Sequence, residues 1–439
     1  MGFREVVPAS LQEILQNGLL DRTFEDALVP AFLYDSLADK KPWAGAVGST
    51  GIYTKNGLLT PQPNPITGSD ASTGTYGFEQ YQVKMDQYGY SIDTNMLLSA
   101  MALASKFLED NKVLAINAAQ TKNLLAQSAL YGAVGTGQTW VTTASATSTA
   151  LIVNNANGFT NAVANLSTTG SNPAEGLTGQ ATPTVVPVSG SNPLNITVGG
   201  VANTVTGVDL ATNTLTLGTA ISATIGQAVI SSVSSPQIRP NSRASGYNIT
   251  ASDLATLATF QSAVTRLRAQ NVPNIKGAYT AHVAPQTVEE LFQDNNFLLA
   301  YRGRGDSPAY RDFQPGDSMG QGGEFMGRFS GIDWILNTVT PTYVNPGSVT
   351  VHQPVVCGDG CLIEAPFSEM ADLISAMQAG STVQVDMIGG VVRILRAPLD
   401  RFGQVLSSTW SWVGDYTVGT DVLTGDAAIY KRAVQIEHA

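Results

Sequence analysis

One serine in the chain lies in a pattern that some hydrolases use for nucleophilic catalysis. Residues 316–320 read Gly-Asp-Ser-Met-Gly, which matches G-x-S-x-G with Ser318 at its centre. In that motif the serine occupies a sharp turn between a strand and a helix, where its hydroxyl can attack a carbonyl carbon. Here Pro315 precedes the motif and a glycine-rich stretch follows it. Because neither flanking element is present in the sequence pattern, we expect no catalytic residue here and no enzymatic activity.

The residues that commonly hold metal ions are too few and too scattered to predict a metal site. Cys357 and Cys361 flank a Gly-Asp-Gly turn, and the histidines are His282, His352 and His438. A structural zinc ion needs about four ligands. We therefore interpret the cysteines as small residues in a glycine turn, although a disulfide between them stays open. His282 lies in an apolar strand pattern, which favours a core or interface role. No phosphate-binding loop is present, and we expect no cofactor.

A short charged peptide, Arg304-Gly305-Asp306-Ser307-Pro308, is the attachment sequence that extracellular matrix proteins use to bind integrins. A match of this length occurs by chance in many unrelated proteins. Integrin ligands are exported, whereas the first residues of this chain have no basic region followed by an apolar run. We therefore treat a surface adhesin as the weaker hypothesis.

The composition restricts the classes of partner. The chain has 23 Lys and Arg against 34 Asp and Glu, a formal charge of −11, and only 13% of its residues are charged. That share is about half of the ~25% usual in soluble domains. An acidic chain gains little from phosphate contacts, which argues against a dedicated nucleic-acid binder, although a local basic patch stays possible. So few charges suggest that other copies of the chain cover much of its surface.

The most regular pattern predicts a long spine helix over residues 93–132. Asp93 or Thr94 can cap its start, and Gly132 stands at its end. At 1.5 Å per residue such a helix would be roughly 57 Å long, enough to cross a whole domain. Its predicted apolar stripe consists of Leu97, Met101, Leu108, Ile116 and Leu124.

The segments on either side of this helix differ in composition. Residues 1–50 are predicted to form an extended arm, and residues 51–92 an extended loop whose second half alternates like a strand of a β-hairpin. Between Lys122 and Arg239 the only charged side chains are those of Glu175 and Asp209. The β-branched runs of residues 134–240 alternate around turns such as Gly199-Gly200, which predicts a small all-β insertion domain. A disordered low-complexity tract is the alternative.

Residues 241–380 alternate between helix and strand patterns, and residues 381–439 are mostly strand-like. One helix begins near Thr250 or Ser252 and ends before Pro273. Near the end of the chain, Trp410 and Trp412 alternate on one strand. Aromatic residues in that pattern are typical of core or interface anchors.

Four stretches, in this order along the chain, resemble the major capsid proteins of tailed bacteriophages with the Hong Kong 97-like fold. They are VKMDQYGYSIDTNML at 83–97, the helix–strand–helix run at 249–298, GEFMGRFSGIDWILNTVT at 323–340, and the closing WSWVGDYTV and AIYKRAVQIE. The resemblance implies an α+β fold with an N-terminal arm (1–50), an extended loop (51–92), a spine helix of the peripheral domain (93–132), an apical domain (241–380) and a β-rich return (381–439). The all-β tract at 134–240 departs from the minimal family fold and is similar to the surface insertion of some members.

This resemblance implies a coat protein that self-assembles into hexamers and pentamers of an icosahedral head and encloses double-stranded DNA without reading its sequence. Assembly would take place in the cytoplasm of a bacterial host, without a membrane, with a separate scaffolding protein, a portal and an optional decoration protein. The alternative of similar fold is the shell of an encapsulin-type bacterial compartment.

Several residues are expected at contacts between subunits. The charged cluster around the attachment-like peptide is predicted to be a capsomer contact loop, and the two tryptophans are predicted anchors. Some family members crosslink a loop lysine to an asparagine of a neighbour; two lysines lie in the corresponding region, but no matching acid–asparagine signature accompanies them. The full set of interface candidates is Arg302, Arg304, Asp306, Arg311, Asp312, Trp410, Trp412, Lys55 and Lys84.

Overall fold

A computed structural model gives the fold of most of the chain. The residues it describes are 19–28, 32–34, 37–43, 50–56, 68, 70, 78–95, 106–164, 184–302, 324–367, 369, 376, 383–396, 404–422 and 428–439. In this part of the chain the fold is mixed α+β, and no helix there is long and apolar enough to cross a membrane. The α-helices are α1 (Leu19–Leu28), α2 (Lys106–Ala133), α3 (Leu257–Ala269), α4 (Pro285–Gln293) and α5 (Asn295–Arg302).

The strands form three six-stranded sheets and three isolated pairs, β2–β3, β7–β8 and β17–β18. In chain order the strands are β1 (Ala38–Lys40), β2 (Thr50–Asn56), β3 (Phe78–Lys84), β4 (Asp86–Asn95), β5 (Gln138–Trp140), β6 (Ser145–Ile152), β7 (Asn161–Ala164), β8 (Thr184–Pro187), β9 (Leu194–Val198), β10 (Val201–Asp209), β11 (Thr214–Ala223), β12 (Ala228–Ser231), β13 (Gln237–Ile238), β14 (Tyr279–Val283), β15 (Glu324–Phe329), β16 (Ile332–Leu336), β17 (Thr342–Val344), β18 (Thr350–His352), β19 (Val355–Cys357), β20 (Leu362–Pro366), β21 (Val383–Ile388), β22 (Val391–Arg396), β23 (Val405–Thr417) and β24 (Ala433–Ile436).

The longest strand, β23, organises the first sheet, which we call the β23 sheet. Strand β4 pairs with it antiparallel from Asn95 opposite Val405 to Asp86 opposite Gly414. On its other side β23 pairs with β22 and then with β20, and β21 and β1 extend the sheet outward. Helices α1 and α2 pack together on one face, where Trp410 and Trp412 are buried. This face forms the largest hydrophobic core among the described residues.

The spine helix begins later than the sequence predicts. The described part of helix α2 starts at Lys106, whereas Asp93 and Thr94, the predicted caps, lie in strand β4. Strand pairing with β23, more than 300 residues away along the chain, overrides the local capping signal, because tertiary contacts outweigh intrinsic propensity. Residues 96–105, including the predicted stripe positions Leu97 and Met101, lie outside the described residues.

The buried face of α2 also differs from the predicted apolar stripe. Leu124 is 57% exposed, and Leu108 and Ile116 are only partly buried. A different face of the helix packs on the sheet and on α1, and it combines alanines with a few large apolar and polar side chains. The buried residues are Phe107, Asn111, Leu114, Ala115, Ala118, Ala119, Lys122, Asn123, Ala126, Leu130 and Ala133.

The predicted N-terminal arm is part of the subunit over residues 19–43. Helix α1 packs against α2, and the Leu33 backbone N–H donates to Asn123 Oδ1 at 2.9 Å in the core. Strand β1 then pairs in parallel with β20. This segment therefore contributes to the core of its own subunit, and any crossing to a neighbour must involve other residues of the arm.

The second sheet lies within residues 138–231, and we call it the uncharged sheet because Asp209 is its one charged residue in the described part of the chain. Its strand order is β5-β12-β9-β10-β11-β6, and its apolar side chains form a separate core. The predicted turn at Gly199-Gly200 is confirmed, with φ values of 57° and 86° that glycine adopts without strain. Val422 and Ile429 close the core from the C-terminal part of the chain.

The third sheet, which we call the mixed sheet, has the order β13-β24-β19-β14-β16-β15 with both parallel and antiparallel pairs. Helices α3, α4 and α5 cover its core, which is centred on Trp334. Helix α3 is capped at Gln270 and followed by Asn271 in the left-handed conformation (φ 56°), after which the Val272 N–H donates to the Leu267 carbonyl at 3.1 Å. Residues 358–361 then join β19 of this sheet to β20 of the β23 sheet.

A buried ion pair fixes α2 against the β23 sheet. Lys122 Nζ lies 2.8 Å from Glu364 Oε1, and their side chains are 4% and 3% exposed. The same ammonium lies over the rings of Phe32 and Trp412, 4.8 and 5.2 Å from their centroids. One lysine thus contacts the arm segment, strand β20 and strand β23 at the same time.

Removing the lysine charge should destabilise the subunit strongly. We expect Lys122→Met to lower the free energy of unfolding by about 3–5 kcal/mol, because Glu364 would stay buried without its cation. Urea-induced unfolding followed by tryptophan fluorescence measures this. The matched control is Lys112→Met, which changes an exposed lysine of the same helix and should have little effect. The double variant Lys122→Met/Glu364→Leu should recover most of the loss, and no recovery would contradict the assignment.

Candidate subunit interface

The β2–β3 hairpin has one face toward the subunit and one toward solvent. Its register pairs Thr50 with Lys84 and Asn56 with Phe78, so directly opposite residues share a face. In β3 the burial alternates strictly between exposed and buried positions. Strand β3 is therefore half-buried, as its alternating sequence predicts.

Aromatic packing attaches the inward face of the hairpin. Tyr53 and Tyr81 stack with ring centroids 5.6 Å apart, and Trp43 meets Tyr53 edge-on at 6.2 Å. Val83 and Ala365 complete a small buried cluster with Trp43. This packing places the base of the hairpin on the edge of its own subunit.

A group of four charged side chains, which we call the hairpin clasp, lies farther along the same face. Lys55 forms an ion pair with Asp421, whose other oxygen accepts from Arg432 Nε at 3.0 Å. Glu79 stands directly opposite Lys55 in the hairpin and accepts from the Val422 N–H at 3.4 Å. Two cations and two carboxylates therefore alternate where the hairpin meets residues 421–432.

Burial perturbs the clasp. It lowers the pKa of Lys55 below the ordinary 10.5, and the carboxylate of Asp421 opposes this shift. Burial also raises the pKa of Glu79 above the ordinary 4.5, against the opposing hydrogen bonds that its carboxylate accepts. Both pKa shifts show that burial disfavours the charged forms of Lys55 and Glu79. The ion pairs with Asp421 and Arg432 offset this cost of burying charge in the clasp.

The outward face of the hairpin is exposed and almost free of charge. Ile52 and Phe78, which are 58% and 56% exposed, stand on it among threonine, asparagine and glutamine side chains. Lys84 stands at one end, where its ammonium lies 3.4 Å from Asp86 Oδ1 and remains 71% exposed. These two side chains make the face a candidate for contact with another protein.

Four of the predicted interface residues have described side chains. Lys84 is exposed, whereas Lys55 is bound within its own subunit by Asp421. Trp410 and Trp412 are 1% and 2% exposed, so the prediction that they anchor a neighbouring subunit must be corrected. Trp410 Nε1 donates to Asn117 Oδ1 at 3.0 Å, and Trp412 stacks on Tyr88 at 5.8 Å, which assigns both to the core.

The remaining predicted positions lie outside the residues whose side chains the structure describes. Arg302 ends helix α5, but its side chain lies outside the described residues, as do Arg304, Asp306, Arg311, Asp312 and Ser318.

The other groups singled out for chemistry lie in the core. Cys357 and Cys361 are buried free thiols, and burial together with their mutual contact raises the pKa of Cys357. His282 stacks on Tyr34 with centroids 5.1 Å apart, and burial lowers its pKa to about 3. Among the described residues, no group of three or more His, Cys, Asp or Glu side chains could hold a metal ion.

Sequence reasoning missed three members of the clasp, Glu79, Asp421 and Arg432. A usable signal was present for Glu79, because it occupies an inward position of the alternating strand, where apolar residues are expected. Asp421 and Arg432 pair with each other across 11 residues, but nothing in the local sequence connects them to the hairpin, because Lys55 lies 366 residues from Asp421 along the chain.

Comparisons with known proteins identify the fold. No protein-family model and no curated protein sequence matches the chain. Among solved structures, the capsid of Ralstonia phage GP4 matches with a TM-score of 0.54 and 11% identity, covering 93% of this chain and 90% of that one. The head of Helicobacter pylori bacteriophage KHP40 (TM-score 0.47, 10% identity, 93% and 91% covered) and the capsid of cyanophage P-SCSP1u (0.46, 11%, 93% and 88%) also match. The first similarity shows that the chain has a phage-capsid fold.

The clasp should control how firmly the hairpin is attached. We expect Asp421→Asn to leave Lys55 and Arg432 unopposed, at a local cost of about 1.5–3 kcal/mol for hydrogen bonds to charged groups. Amide hydrogen exchange should then accelerate tenfold or more in residues 50–56 and 78–84, with α2 unchanged. Asp86→Asn, at an exposed ion pair beside the same hairpin, is the control. Unchanged exchange in the hairpin of the Asp421 variant would show that the clasp does not hold it.

Proposed function

We propose that this chain, which has a phage-capsid fold, is the major capsid protein of a tailed double-stranded DNA bacteriophage. Many copies would assemble into the icosahedral head and enclose the genome. The observation that carries the proposal is the similarity of fold to the Ralstonia phage GP4 capsid over 93% of the chain. In this role the chain is a structural protein, and its function lies in contacts between copies.

The arrangement of the subunit supports a Hong Kong 97-like division of labour. The β23 sheet with α2 would be the peripheral domain with its spine helix, the mixed sheet with α3–α5 the apical domain, and β2–β3 the base of the extended loop. The uncharged sheet would be an insertion domain within 134–240. Its separate core supports this division. The chain segments that enter and leave the uncharged sheet also run side by side, because the Ser235 N–H donates to the Thr136 carbonyl at 3.2 Å.

The surface of the subunit fits assembly by repeated contacts. Closed shells form when one patch of each copy binds a different patch of the next. Each such contact buries on the order of 1,200–2,000 Å² in stable complexes. The outward face of the β2–β3 hairpin, with Ile52 and Phe78, offers an uncharged surface for one of them. The chain's 13% share of charged residues suits a protein that covers much of its surface in this way.

The proposed surroundings follow from the role. The shell would assemble in the cytoplasm of the bacterial host around a separate scaffolding protein, with a portal at one vertex and a decoration protein as an optional addition. An acidic inner surface would enclose DNA without binding it tightly, because its charge repels phosphate.

Electron microscopy of the particles tests the proposal. Cells that produce this chain together with its scaffolding protein should contain uniform closed particles with hundreds of copies, and mature particles should contain DNA. A strictly monomeric chain under these conditions would refute the proposal. Closed particles that enclose a protein cargo in place of DNA would favour the encapsulin-type alternative.

The outward face of the hairpin should be needed for assembly. We expect the double variant Ile52→Asp/Phe78→Asp to reduce particle yield at least tenfold, because two carboxylates would have to be desolvated in every copy of the contact. Its monomer should melt at the wild-type temperature, since both side chains are exposed. Ile225→Asp, in the turn between β11 and β12 where the side chain is 55% exposed, is the control. Normal particles from the hairpin variant would exclude this face as a contact.

The charged loop around Arg304 remains a proposed capsomer contact together with Arg302, Asp306, Arg311 and Asp312. Charge reversal by Arg304→Glu should then impair shell assembly and leave the monomer folded, as judged by its circular dichroism. If this variant forms normal shells, the attachment-like peptide has no role in assembly.

A further inference from the structure

A small basic patch, which consists of Arg268, Lys276 and Arg328, lies at the end of α3. Arg328 Nη1 donates to the Lys276 carbonyl at 3.1 Å, which joins the β15 end to the turn before β14. A Cβ atom on Gly331, in the β15–β16 turn, would lie 3.1 Å from Arg268 Nη2. The three cations therefore lie around one point of the surface, although they come from three separate segments.

Tight turns hold two of the three segments in place. Ile275 and Ala278 exchange backbone hydrogen bonds of 2.8 and 3.1 Å around Lys276-Gly277. Both turn residues have positive φ, 49° and 95°, as do Ser330-Gly331 of the neighbouring turn, with 57° and 77°. A lysine adopts positive φ at a higher cost than asparagine or glycine, which are the usual residues at this position. Lys276 nevertheless occupies the tip of its turn, where its side chain is exposed.

The three cations of the patch differ in whether a described carboxylate neutralises their charge. Arg328 is bound through two nitrogens by Asp333, at 2.6 and 2.7 Å, and this pairing raises its pKa. Arg268 and Lys276 are exposed, and neither forms an ion pair with any residue that the structure describes. The helix dipole stabilises Arg268, which stands in the last turn of α3. Two exposed positive charges without an ion-pair partner among the described residues thus stand beside a third that Asp333 holds.

We infer that this patch receives an acidic surface of a second copy of the chain. The inference rests on the proposed function, because it names one contact between copies in the shell. Each copy has a formal charge of −11, so copies repel one another unless a positive patch of one meets a negative patch of the next. Complementary charges of this kind select the orientation of a contact and exclude wrong ones.

The alternative occupant, nucleic acid, fits the patch less well. The exposed cations of Arg268 and Lys276 would release the counterions of about two phosphates, whereas firm nonspecific binding usually needs several such contacts. Asp333 already occupies the guanidinium of Arg328, and the acidic remainder of the chain repels a polyanion. A compact group of carboxylates on a neighbouring copy matches the small size of the patch.

The test compares two charge-reversed variants with the same net charge. The double variant Arg268→Glu/Lys276→Glu should lower particle yield about tenfold or more, an effect that corresponds to a modest change in contact affinity. The control, Lys106→Glu/Lys112→Glu, reverses two exposed lysines of α2 and should assemble normally. Both monomers should melt at the wild-type temperature. In wild-type particles, a carbodiimide that joins amines directly to carboxylates should link Lys276 to an acidic residue of another copy, identified by mixing isotopically labelled and unlabelled chains.

The outcomes separate the inference from the proposed function. Normal particles from the patch variant, or links from Lys276 only within one copy, would overturn the inference and leave the capsid role intact. Equal losses in both variants would also overturn it, because the effect would then come from net charge. Binding of duplex DNA by the wild type that is lost in the patch variant would assign the patch to nucleic acid instead. A wild type that forms no particles would refute both.

Discussion

The buried ion pair between Lys122 and Glu364 is the interaction on which the subunit depends. An ion pair in a dry core is costly to form, and it contributes stability only when its geometry and its surroundings are complete. Here completion requires the arm segment with Phe32, strand β20 and strand β23 to be in place around one ammonium group. The pair therefore admits one register between helix and sheet. Many apolar contacts of alanine would tolerate a shift of the helix along the sheet, whereas this pair does not.

Local signals in the sequence were sufficient where structure is local. Gly199-Gly200 marks a hairpin turn, Pro273 follows the end of α3, and the alternation in residues 78–84 gives a half-buried strand. The start of α2 was not predictable in the same way. Asp93 and Thr94 have good capping side chains, but they pair instead with β23, which lies more than 300 residues later in the chain. The buried stripe of α2 was misplaced for a related reason, because packing against the sheet and α1 decides which face is buried, and that face carries alanines and polar side chains beside Leu114 and Leu130.

The family resemblance came from the order of elements, and the structural similarity to a phage capsid confirms it at the level of the fold. Individual interface residues were a harder problem. Two alternating tryptophans carry the same signal whether a strand faces the core or a neighbour, and here α2 covers them. Lys55 was selected for its place in the extended loop, but its partner Asp421 lies 366 residues away. The contacts of the hairpin follow from the tertiary fold and have no counterpart in sequence spacing.

Arg432 joins the hairpin clasp to the crossover between two sheets. Its guanidinium donates to Asp421 of the hairpin clasp at 3.0 Å and to the carbonyl of Asp359 at 2.7 Å, and its own carbonyl accepts from the Gly358 N–H at 2.8 Å. Asp359 and Gly358 belong to the crossover between the mixed sheet and the β23 sheet. If a neighbouring copy binds the hairpin as proposed, a force on the hairpin would pass through this one side chain to the joint between the two sheets. Tension at the hairpin and bending between the sheets would then be coupled.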